Sequence, residues 1–77
     1  MNGIHTMSDK HEIIQLMQQH GFYERANEII RDGISTWSVR WIRAMDGSEG
    51  PLAENINEVE AYMEAAVLAI NALIPRA

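Results

Sequence analysis

Apolar side chains in the last third of the chain recur in steps of four and three: Leu52, Ile56, Val59, Met63, Ala66, Ile70 and Leu73. That rhythm is the seam of a helix packed lengthwise against another helix. It predicts a helix over residues 52–73, opened by Pro51 in its first turn and stopped before Pro75. The polar side carries Glu54, Asn57, Glu58, Glu60 and Glu64. Beyond Glu64 that side fades, and Ala65, Val67, Leu68, Ala69, Ala72 and Ile74 make the helix apolar all round. A helix of that kind is covered on more than one side. One side is read as domain core. The other is read as a homodimer interface formed by Ile56, Val59, Met63, Val67, Leu68, Ile70 and Ile74.

Upstream, Thr6 to Asp9 has the form of a capping box, with Ser8 as a competing cap. A first helix is predicted over residues 9–20, presenting Ile13, Leu16, Met17 and His20 on one face and closed by Gly21. A second is predicted over residues 22–32, with Phe22, Ala26, Ile29 and Ile30 in one stripe and Gly33 at its end. Residues 34–45 admit two readings. As a helix, Ser35 caps it and Ile34, Trp37, Trp41 and Met45 share a face. As a strand, Trp37, Val39 and Trp41 alternate with Ser38, Arg40 and Ile42. We adopt the helix. The expected fold is therefore all-α, a bundle of three to four helices with a long C-terminal one. The alternative is α+β, with one short strand at residues 36–43 pairing across a dimer. Residues 1–6 are read as a flexible tail, with Met7 as an alternative start, and residues 7–77 as a single helical domain.

Size sharpens the case for self-association. A chain of 77 residues buries only ~60% of the surface its unfolded form exposes, so a lone monomer is marginally stable. Disulfides and thiolate metal sites are excluded because there is no cysteine. The N-terminus lacks the basic and apolar regions of a signal peptide, and no apolar run reaches the ~18 residues of a membrane span. A cytoplasmic location is expected. The net charge is −5 and uneven: Asp46, Glu49, Glu54, Glu58, Glu60 and Glu64 oppose only Arg76 in the tail, while Arg25, Arg31, Arg40 and Arg43 sit in the middle. That balance opposes non-specific attraction to nucleic acid or anionic lipid.

Two constellations in the middle segment carry binding chemistry. The run Gly33-Ile34-Ser35-Thr36-Trp37-Ser38-Val39-Arg40-Trp41-Ile42 resembles the turn and recognition helix of helix-turn-helix DNA-binding proteins. The glycine, the apolar residue after it, the serine cap, Val39 and Ile42 match that spacing, whereas Ile29 and Asp32 depart from it. The resemblance implies Thr36, Ser38, Arg40 and Arg43 facing a groove. Trp37, Arg40, Trp41 and Arg43 also combine the two residue types enriched at interface hot spots. They are the expected partner-binding patch.

Catalytic and metal signals are weak. His5, His11 and His20 lack the close spacing of a metal site. Glu54, Glu58, Glu60 and Glu64 recur at the spacing of an ordinary solvated helix face. Gly47-Ser-Glu-Gly is acidic and has no lysine to hold a phosphate. We expect no enzyme activity, no metal and no cofactor. The expected function is non-enzymatic protein binding as a homodimeric adaptor, accessory or inhibitor, compositionally like small phage-encoded inhibitors. A dimeric DNA-binding regulator using residues 33–43 is the alternative.

Overall fold

The chain is seen as a computed structural model that describes residues 9–74. Its elements run α1 (Lys10–Gln19), β1 (Phe22–Arg31), β2 (Ile34–Arg43), β3 (Ala53–Asn55) and α2 (Glu58–Leu73). The three strands form one antiparallel sheet in the order β1-β2-β3. The expected flexible tail, the alternative start at Met7 and the candidate caps Thr6 and Ser8 lie outside the described residues.

The all-α expectation is overturned at residues 22–43. Both segments read as helices are ten-residue strands, paired without interruption from Phe22↔Arg43 to Arg31↔Ile34. Asp32 and Gly33, with φ of 52° and 77°, form the two-residue turn between them. Positive φ at both positions gives a type I′ turn, whose twist matches that of the flanking strands. Gly33 therefore begins a hairpin and does not close a helix. The strand alternative is corrected too: β2 pairs with β1 and β3 of its own chain, so it needs no second subunit. With residues 34–43 extended there is no recognition helix, and the helix-turn-helix resemblance lapses.

Strand alternation gives the sheet two different faces. Phe22, Val39, Trp41 and Ala53 face the helices and join Ile13, Met17, Ala61, Tyr62, Ala65, Ala66 and Ala69 in the core. Trp41 donates its indole N–H to the Tyr62 carbonyl at 3.3 Å and meets the Tyr62 ring edge-on, at 6.1 Å and 73°. The opposite face bears Arg25, Arg40 and Arg31.

The helices stop where expected but do not all start there. Asp9 caps α1, its carboxylate accepting from the His11 N–H at 2.9 Å. Asn57 caps α2 by accepting from the Glu60 N–H at 3.0 Å. Leu52 and Ile56 thus precede α2, and Pro51 lies in the loop before β3. The buried stripe of α2 is Ala61, Tyr62, Ala65, Ala66 and Ala69 rather than the larger aliphatic seam. Small side chains let the backbone come close: a Cβ added at Gly50 would lie 2.9 Å from the Ala69 Cβ. Among the described residues no helix is long and apolar enough to cross a membrane.

Candidate interaction surfaces

The sheet distributes the expected partner-binding patch over two faces. Trp41 is fully buried and serves the core. Trp37, half-buried on the same face, packs at its margin. Arg43 reaches the end of α2, where its guanidinium donates to the Leu73 carbonyl. It also grips both Asp46 carboxylate oxygens, at 3.1 and 2.7 Å. A cation is favoured there because α2 has no basic residue in its last turn to offset the C-terminal end of its dipole. The Arg43 guanidinium and the Ser48 N–H hold the Asp46 carboxyl well below the usual carboxylate range. Arg40 lies on the opposite face. These four side chains are not one surface.

That opposite face is laced by ion pairs. Arg25 and Arg40 stand directly across from one another on β1 and β2. Like charges in that position repel, and Glu49 answers them, contacting Arg40 closely and Arg25 at 3.6 Å. Arg31 of β1 reaches across β2 to Glu54 of β3 at 2.7 Å. Arg25, Arg31 and Arg40 against Glu49 and Glu54 leave this face net positive in a chain of net charge −5. The acid excess therefore lies in the helix layer and the helix-facing side of the sheet. Sequence reading missed this segregation because it assigned β1 to a helix.

The residues of the expected dimer interface differ in exposure. Val59, Met63, Ile70 and Ile74 are half-buried against the core. Ile56 is exposed but lies outside α2. Val67, 50% exposed, and Leu68, 39% exposed, remain. With Met63 and Glu64 they line an open apolar depression on one turn of α2. Glu64 also accepts from Asn55 Nδ2 of β3 at 3.1 Å, which holds its carboxylate at the β3 side of the depression. Val67 and Leu68 are the half-exposed members of that set on α2. They are the right scale for anchors of a short segment.

Lys10 bridges the helices by donating to Glu58 at 2.6 Å, and it lies 5.7 Å from the Tyr62 ring centre. The Glu58 carboxylate raises the Lys10 pKa. His11 stacks its ring nitrogen on its own helix cap, 3.1 Å from Asp9. Among the described residues no group of three or more His, Cys, Asp or Glu could hold a metal ion. No family model, curated protein or solved structure matches this chain.

Proposed function

We propose that the protein is a non-enzymatic protein-binding module that uses the outward turn of α2. One observation supports this most: Met63, Val67 and Leu68 line an open apolar depression that Glu64 borders. The same helix carries Glu58, Glu60 and Glu64 and no basic side chain. The fitting partner is a segment with a Lys or Arg flanked by apolar residues, such as one face of a basic amphipathic helix. Apolar anchors supply affinity, and the carboxylates supply orientation and selection.

A direct test is fluorescence anisotropy with two labelled amphipathic peptides of identical apolar face, one lysine-bearing and one with glutamate in place of lysine. The lysine peptide binds, and rising salt weakens it. The glutamate peptide does not bind. Leu68→Asp reduces affinity by about tenfold, or ~1.4 kcal/mol. Equal binding of both peptides, or full affinity in Leu68→Asp, rejects the reading.

A further inference from the structure

The two edges of the sheet differ. β3 is three residues long and follows Pro51 closely, so it offers little to a foreign strand. β1 is ten residues long, regular in register throughout, and contains neither lysine nor proline. No described element pairs with its outer side. The two-residue hairpin fixes which backbone groups are free there. Arg31 and Ile34 flank the turn as a hydrogen-bonded pair, so Tyr23, Arg25, Asn27, Ile29 and Arg31 turn their N–H and C=O toward β2. Glu24, Ala26, Glu28 and Ile30 turn theirs to the open edge. A ten-residue edge, regular in register and without proline or lysine, is a template for another strand.

We propose that the occupant is a second copy of this chain, with β1 paired antiparallel to β1 of the partner about a two-fold axis at Ala26. Two three-stranded sheets become one of six strands, with all four helices on one side. The side chains select both the occupant and the register. A two-fold axis normal to the sheet must pass through a residue. At Ala26 it sets Ile30, 70% exposed, against Phe22 of the partner subunit, and Tyr23, 46% exposed, against Ile29 of the partner subunit. It also sets Arg25 against Asn27 of the partner subunit. The like-charged match, made twice by the symmetry, is Glu24 with Glu28 of the partner subunit. It is tempered because Lys10 lies in the field of Glu24 and the Ser35 hydroxyl already donates to Glu28. Moving the axis to Asn27 sets Ile30 against Glu24 and Ile29 against Arg25. Moving it to Glu28 sets two glutamates face to face on the axis and Arg25 against Arg31.

The helix layer agrees. Lys10 marks the flank of α1 that meets α2, through its bond to Glu58. Leu16 lies about 120° around α1 from Lys10 at 100° per residue, with Ile13 and Met17 buried between them. Leu16, 39% exposed, therefore flanks the β1 edge rather than α2. The two-fold axis brings it toward its own counterpart.

Disulfide trapping in a chain that has no native cysteine tests this. Arg25 and the partner's Asn27 form a non-hydrogen-bonded pair, with Cα atoms ~4.5 Å apart, inside the range a disulfide spans. A mixture of Arg25→Cys and Asn27→Cys chains, reduced and then oxidised, is expected to form a cross-linked heterodimer far faster than either variant cross-links alone. As an independent arm, Ala26→Pro removes only an edge-directed N–H. It is expected to keep the far-ultraviolet circular dichroism of the parent while sedimenting at the 8.7 kDa mass of one chain, with the parent at twice that. A monomeric parent, an Ala26→Pro variant that still dimerises, or a mixture that cross-links no faster than the single variants overturns the proposal. Leu68→Asp leaves the dimer intact, so failure here and failure of the α2 reading are separable.

Discussion

Two residues show how tightly single positions are constrained. Gly50 donates its N–H to the Trp41 carbonyl at 2.8 Å and sits against Ala69. A methyl group there would be 3.1 Å from both the Trp41 oxygen and the Ala69 Cα. Neither backbone can yield cheaply, so Gly50→Ala is expected to lower stability by about 1–3 kcal/mol in urea unfolding. Asp46 supplies a pH signature. Its folded pKa is depressed, so its contribution is fully present above the unfolded value of ~3.9 and is lost as pH falls toward the folded value. The acid limb of a stability–pH profile should flatten in Asp46→Asn, with no change near neutrality in the slope. Neither constraint was legible beforehand. Gly50 was one more loop glycine, and Arg43 was assigned to a partner because nothing in the sequence places it beside the end of α2. The end of α1 was more readable, since it depends on local chemistry: the helix before Gly21 ends at Gln19, although its cap is Asp9, which was read as the first residue of the helix.

At the scale of elements, the hairpin was the misreading with the largest consequence. Asp-Gly between two β-prone runs is a strong short-range hairpin signal. Phe22, Ala26, Ile29 and Ile30 happen also to fit helical spacing, and that coincidence prevailed. The turn itself supplies a test. Gly33 stands at φ 77°, a conformation costing an L side chain roughly 1–2 kcal/mol. Gly33→Ala should therefore destabilise by about that amount, read from a thermal or urea transition, while the strand signal of the folded protein is retained. A smaller loss than a few tenths would remove the type I′ assignment. The long seam misled differently. Its Val59, Met63, Ile70 and Leu73 do lie on α2, but they sit beside the buried alanine stripe, half-covered. The stripe that carries the contact is four alanines with Tyr62, and at Ala69 the close approach of Gly50 leaves no room for a larger side chain. Periodicity located the end of the helix correctly, but its start too early and its packed face incorrectly.

At the level of the whole molecule, the protein is a two-layer α+β domain with a charged outer sheet face, an open apolar depression on α2 and one open edge. A chain this small is marginal alone, and strand addition adds hydrogen bonds along β1 without consuming the α2 surface. The expectation of self-association thus survives as a proposal, moved from the last helix to the first strand. Amide hydrogen exchange along β1, followed as a function of protein concentration, tests that claim most directly. At high concentration the account predicts protection at every residue from Tyr23 to Ile30. On dilution, Glu24, Ala26, Glu28 and Ile30 should lose protection while Tyr23, Arg25, Asn27 and Ile29 keep it. The same alternating pattern at all concentrations would contradict the shared edge, and helical protection with no alternation would contradict the hairpin itself.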